Sequence, residues 1–259
     1  MKTTILIPAR YASTRYPGKP LVALKGSDGV SKTLIQRSWE TAKAVSNVDS
    51  VFVATDDARI KDHVEAFGGQ VIMTNEACAN GTERCADALQ YFDEMPDLIV
   101  NLQGDAPLTP HWFVEDLIEK MASDLSFSVA TPVLRCDRET FDNFKNDRAA
   151  GRVGGTTAVF DQSGKALYFS KEVIPFVPEG KPQAQVPVFH HVGVYAYRPD
   201  ALAQYMTWPE GVLERNEGLE QLRFLENGES VACVEVDARG RVFWELNNPV
   251  DVARIESVL

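Results

Sequence analysis

Three cations stand close together near the start of the chain. Arg10, Arg15 and Lys19 lie in the stretch IPARYASTRYPGKP, and no acidic residue interrupts them. That grouping is unusual in a chain of 259 residues with a formal net charge of −11. Guanidinium forks grip phosphate oxygens in pairs, and a lysine ammonium adds a point charge. Ser13, Thr14 and Gly18 bring hydroxyl and backbone N–H donors to the same loop. The set suits a polyphosphate. It is not a Walker A loop, because GxxxxGK[ST] is absent. A solvated surface loop is the plain alternative.

Asp105 is the next candidate. It follows an apolar run and is flanked by Gly104 and Pro107. A carboxylate so placed either holds Mg²⁺ beside phosphates or caps the next turn. Asp56 and Asp57 face the same choice, and turn or cap roles are expected there. In NGTER (80–84), Thr82 resembles a helix N-cap, and the glycine would let a flat base approach the backbone. His190 and His191 are strand neighbours pointing to opposite faces, so at most one can enter a pocket. Glu214, Glu217, Glu220 and Arg223 read as a solvated helix face with i,i+3 pairs.

Positioning these residues requires alternating elements. TILIP (4–8), VFVATD (51–56), VIMT (71–74), LIVNLQGD (98–105) and FSVATPV (127–133) read as strands. Helices are expected at 31–45 with Ser31 as cap, at 57–67 closed by Gly68-Gly69, at 81–92 and at 111–121. The alternation predicts a mostly parallel, twisted α/β sheet, whose ligands bind beyond the strands' carboxyl ends. The polar stretches ARYASTR, ATDD and QGDAP fall there. From about 150 the pattern changes. GGTTAVFDQSGKALYFS predicts a hairpin, FHHVGVYAYR a strand, and residues 150–198 an antiparallel insertion within a single domain, 1–259. One amphipathic helix is expected over GVLERNEGLEQLRFLENG.

Composition removes several classes. The acidic balance argues against nucleic-acid binding. No apolar run is long enough to span a membrane, and no signal peptide is recognised. The four cysteines lack CxxC spacing, which favours free thiols in a reducing cytoplasm over zinc or disulfides.

Together the motifs resemble the 3-deoxy-manno-octulosonate (Kdo) cytidylyltransferases. The resemblance rests on IPARYASTRYPGKPL, VATDD, GTER, NLQGDAPL, ALYFSKEVIPF, HHVGVYAYR and LEQLRFLENG, which occur in order along nearly the whole chain. It implies a nucleotidyltransferase α/β fold. It also implies transfer of CMP from CTP to the anomeric hydroxyl of Kdo, with release of pyrophosphate, in lipopolysaccharide biosynthesis. By resemblance, Arg10, Arg15, Lys19 and Asp105 carry catalysis. The nucleotide is assigned to Ala9, Arg10, Ser13, Arg15, Lys19, Ala54, Thr55, Asp56, Asn80, Gly81 and Arg84. The acidic sugar falls to Gln103, His191, Tyr195, Glu220 and Gln221, and Mg²⁺ to Asp105 and Asn247. A cytoplasmic homodimer joined through the antiparallel segment is implied.

Three positions depart from the family pattern. Asn247 stands where an Asp metal ligand is usual, Ala106 replaces Glu in QGDEP, and Thr157 replaces Lys. An Asn carbonyl can still ligate Mg²⁺. The departures leave two alternatives beside Kdo transfer: another 2-keto-3-deoxy sugar acid, such as an 8-amino form, or a CTP-binding regulator without catalysis.

Overall fold

A computed structural model describes residues 1–12, 16–178, 185–241, 246 and 248–259. Its first half contains β1 (Thr3–Ala9), β2 (Ala23–Lys25), β3 (Ser31–Thr33), α1 (Leu34–Ala44), β4 (Ser50–Thr55), α2 (Ala58–Ala66), β5 (Gln70–Met73), α3 (Gly81–Ala88), β6 (Leu98–Leu102), α4 (His111–Ser123) and β7 (Val129–Arg135). The second half contains α5 (Arg138–Ala149), β8 (Thr157–Phe160), β9 (Ala166–Ser170), β10 (Phe189–His191), β11 (Val194–Tyr197), α6 (Pro199–Tyr205), α7 (Val212–Glu217), α8 (Leu222–Glu226), β12 (Val231–Glu235) and α9 (Asp251–Glu256).

One sheet organises the molecule, with strand order β5-β4-β1-β6-β11-β7-β10-β8-β9 and β12 paired to β7. β1 is the third strand from one edge and is buried along its whole length. It pairs in parallel with β4 and β6, and β4 pairs in parallel with β5. Strands covered on both faces read as continuous apolar runs, which is why TILIP stands out in the sequence. Ile5 and Ile7 pack to one face with Val53, Val100 and the apolar side of α4, including Phe113 and Leu117. Leu6 and Ile99 pack to the other with Cys85 of α3, Tyr197 of β11 and Phe224 of α8. The result is helix layers on both sides of a mixed sheet.

Several expectations change. Ser31 does not cap α1. Residues 31–33 form β3, which pairs with β2, and the Thr33 hydroxyl accepts the Gln36 N–H at 3.4 Å. Thr82 does not cap α3 either. Asn80 Oδ1 accepts the Glu83 N–H at 2.8 Å, while Glu83 accepts the Ala79 N–H at 2.8 Å. That is a reciprocal cap one turn wide.

The run FHHVGVYAYR is two strands. β10 lies between β7 and β8, whereas β11 lies between β6 and β7. The chain changes neighbours at Val192–Gly193, where the buried Thr131 hydroxyl points at the carbonyls of Val192 (3.2 Å) and Val194 (2.8 Å). The expected single helix over 211–228 is α7 and α8, separated at Gly218, which adopts φ +61°. Between them lies the turn that carries Glu220 and Gln221. All four cysteines are free and buried. Among the described residues, no helix is long and apolar enough to cross a membrane.

Candidate active site

The carboxyl ends of β1, β4 and β6 converge, as the parallel register requires. Beyond β1, Gly18 adopts a φ of +70°, which lets the backbone reverse there. The Gly18 N–H donates to the Tyr11 carbonyl at 2.9 Å and closes the loop. Lys19 follows at once. Its Nζ donates to Asp105 Oδ2 at 2.7 Å, with side-chain exposures of 14% and 29%. Asp105 reaches this position because Gly104, just beyond β6, passes so close to β1 that a Cβ there would lie 2.9 Å from the Pro8 carbonyl. Any larger residue would push the Asp105 turn off the sheet.

Arg10 leaves the end of β1 and donates from Nη1 to the Ala79 carbonyl at 3.3 Å. Ala9, Ala54 and Thr55 line the strand ends as buried residues. Asp57 caps α2, as expected of an Asp after β4. Asp56 has another partner. It accepts from Arg84 Nη2 at 3.3 Å, while Arg84 Nη1 donates to Thr74 Oγ1 at 2.6 Å. Arg84 is 2% exposed, so it serves as an internal strut tying α3 to the ends of β4 and β5. Ser13 and Arg15 lie outside the described residues.

The second half of the site faces the N-terminus of α3. Glu220 Oε2 accepts the Thr82 N–H at 3.2 Å, and Oε1 accepts from Gln103 Nε2 at 3.4 Å. The Gln103 amide in turn lies over Gly81. Burial pushes the Glu220 carboxyl up to about 6, partly offset by the Thr82 N–H. Tyr195 donates to Gln221 Oε1 at 3.2 Å. His191 is buried against Phe169 and Tyr195, and its Nε2 shares a hydrogen bond with Thr131 at 2.9 Å. Burial, and then the neighbouring His190, depress its pKa to about 3, so the ring is neutral.

Glu214 and Arg223 are not a solvated face. They are buried, and Arg223 grips both Glu214 oxygens at 2.6 and 2.7 Å. The break at Gly218 folds α8 back on α7 and makes them partners nine residues apart.

The chain resembles known proteins along nearly its whole length. A cytidylyltransferase family profile matches residues 4–231. A 3-deoxy-manno-octulosonate cytidylyltransferase of Maricaulis maris is 43% identical over all of this chain and 97% of its own length. One from Chlamydia pneumoniae is 39% identical over 98% of this chain and 92% of its own. A solved structure of a CMP:2-keto-3-deoxy-manno-octonic acid synthetase complexed with CTP superposes with a TM-score of 0.85. It is 34% identical and covers 99% of this chain and 98% of that one. The chain belongs to the 3-deoxy-manno-octulosonate cytidylyltransferase family. A cytidylyltransferase of Leptospira borgpetersenii, at 17% identity and a TM-score of 0.60, shares the fold.

Within this cytidylyltransferase two buried amides stand out. Asn101, fully buried on β6 opposite Tyr195, has neither amide atom hydrogen-bonded, and Gln221 Nε2 is likewise without a partner. Buried amides seldom stay unsatisfied, so these atoms are the polar groups of this face that await a partner. A polar residue inside the apolar run LIVNL was the available signal. Thr157, where the family pattern has Lys, is fully buried. Its hydroxyl donates to the Glu172 carbonyl at 2.6 Å and accepts the Ile174 N–H at 3.3 Å. It holds the end of the β8–β9 hairpin.

The residues also bear on Mg²⁺. No group of three or more His, Cys, Asp or Glu able to hold a metal occurs among the described residues. Mg²⁺ is commonly held by one or two carboxylates together with substrate phosphates and water. Asp105, partly exposed beside Lys19, fits that shared mode. Asn247 lies outside the described residues, but the adjacent Leu246 donates its N–H to the Asp105 carbonyl at 2.9 Å.

Proposed function

We propose that the protein transfers CMP from CTP to the anomeric hydroxyl of 3-deoxy-manno-octulosonate and releases pyrophosphate. The observation that carries this reading is the match to the Maricaulis cytidylyltransferase over the whole chain. The charge layout supports it: a cationic loop after β1, Asp105 across from it, and a polar turn at Glu220–Gln221 on the opposite side of α3.

The sugar hydroxyl attacks the α-phosphorus, a new P–O bond forms, and the bond to pyrophosphate breaks with its electron pair. The hydroxyl gives up its proton to solvent. Such a displacement needs positioning and charge stabilisation more than covalent help. Arg10, Arg15 and Lys19 neutralise the triphosphate and the departing pyrophosphate. Backbone around Ala54 and Gly81 receives the cytosine. Gln103, Tyr195, Glu220 and Gln221 orient the sugar acid, with His191 a neutral wall behind them. Mg²⁺, held by Asp105 and Asn247 with the phosphates, would supply further neutralisation of the triphosphate. A homodimer working in the cytoplasm completes the reading.

Pyrophosphate release with CTP, Mg²⁺ and a panel of sugar acids tests it. Kdo should support release, and CTP should be preferred over ATP. Release with none of the sugar acids would overturn the proposal.

A further inference from the structure

The two halves of the site share one chain of polar contacts. On the nucleotide side, Arg10 donates to the Ala79 carbonyl at 3.3 Å, and the Ala79 N–H donates to Glu83 at 2.8 Å. Glu83 lies 3.4 Å from the Arg223 guanidinium, which grips Glu214. Tyr205 then donates its hydroxyl toward Glu214 Oε1 at 3.2 Å and the Glu220 carbonyl at 3.4 Å, and Asn80 donates to the same hydroxyl at 3.4 Å. Arg223 also stacks over the Tyr205 ring, 4.0 Å from its centroid. The Glu220 side chain closes the circuit on the Thr82 N–H. No member between Glu83 and Tyr205 is assigned to either substrate.

We propose that Arg223 is a positioning residue that couples the two half-sites, so that nucleotide binding raises affinity for the acidic sugar. The proposal rests on the reading that the triphosphate meets Arg10 and the sugar meets the Glu220–Gln221 turn. Arg10 spends one guanidinium N–H on the Ala79 carbonyl. A triphosphate that takes Arg10 removes a donor from the loop whose N–H is held by Glu83. Glu83 can then shift its weight between the α3 cap and Arg223. Arg223 is the only described cation hydrogen-bonded to both Glu83 and Glu214, so the cap and the turn cannot move independently. Burial strengthens these contacts, since charges in a low-dielectric surround are poorly screened. Coupling between ligands is reciprocal, so each should tighten the other by the same factor.

The test uses the full chain and a CTP analogue whose α,β-bridging oxygen is a methylene group, so pyrophosphate cannot leave. Its dissociation constant is measured by calorimetry with and without saturating Kdo, in wild type, Arg223→Lys and Glu83→Gln. Wild type should show coupling of about fivefold or more, within the usual range for linked sites. Both variants should fall below about twofold while still binding each ligand alone. Glu83→Gln keeps an acceptor for the Ala79 N–H, so it serves if Arg223→Lys does not fold. Coupling below twofold in wild type, or unchanged coupling in folded Glu83→Gln, would overturn the inference. Pyrophosphate release by wild type from CTP and Kdo is measured alongside. Its absence would instead refute the functional reading on which the inference stands.

Discussion

The two sides of α3 handle charge in opposite ways. Toward the β1 loop, charged groups are partly exposed, and among the described residues their contacts are few: Lys19 with Asp105, Arg10 with the Ala79 carbonyl. Toward α7 and α8, charged groups are buried and satisfied by several partners. Arg223 holds Glu214 with two hydrogen bonds and also reaches Glu83. A group that must exchange its partner for a phosphate gains from weak, wet pairing. A group that must hold a turn in one geometry gains from dry, multiple pairing, because breaking it leaves an uncompensated charge. The first side is built to exchange partners, and the second to move only as one connected unit.

That contrast can be broken most severely at Asp105. Asp105→Asn should lower pyrophosphate release by about a thousandfold or more, comparable with losing a central electrostatic contact of the transition state. The thermal midpoint should hardly change, because the residue is partly exposed. Near-normal turnover would remove Asp105 from the reacting centre. Glu214→Ala should do the reverse. It strands a buried arginine and should cost about 3–4 kcal/mol of stability, read by urea titration. A loss under about 1 kcal/mol would mean that the pair is wetter than its burial indicates.

A smaller change is expected at Lys19. Lys19→Ala should cost about 2–3 kcal/mol in kcat/KM with the fold intact, the scale of one charge-assisted contact to phosphate. Unchanged kinetics would return the loop to a solvated surface. The gentlest test is pH. The His191 pKa is about 3 in the folded chain against an ordinary 6.5. An unfolded chain therefore binds more protons between those values. The stabilisation is fully present above about pH 6.5 and declines as pH falls toward 3. The slope is at most about 1.4 kcal/mol per pH unit. Glu220, raised from 4.5 to about 6, acts with the opposite sign between those values. Its contribution is present below 4.5 and lost as pH rises through 6. His190, pulled by burial to about 4, adds a slope of the same sign, so His191→Asn should lessen but not remove the pH dependence of stability between 6 and 4. An unchanged slope would place His191 in contact with water.

The sequence by itself determined the parallel half of the sheet. Strands such as TILIP and LIVNL are continuous apolar runs, and their polar sequels must emerge at one edge, so local pattern and site position coincide. Arg10, Lys19 and Asp105 were legible for that reason. The later half was less so. β12, α5, α6 and α9 were not anticipated, although Asp137 accepting the Thr140 N–H at 2.7 Å shows that a capping signal was present for α5. Only the tertiary structure decided that Glu214 and Arg223 are buried partners, that FHHVGVYAYR divides between two sets of neighbours, and that Asn101 and Gln221 leave buried amide atoms without a partner. The physical reason is range. Helical and strand periodicities report which side of an element faces inward. They carry no information about which distant element fills that side. Charge at i,i+3 spacing reads as a surface stripe until a left-handed glycine at position 218 folds one half of the stripe against the other.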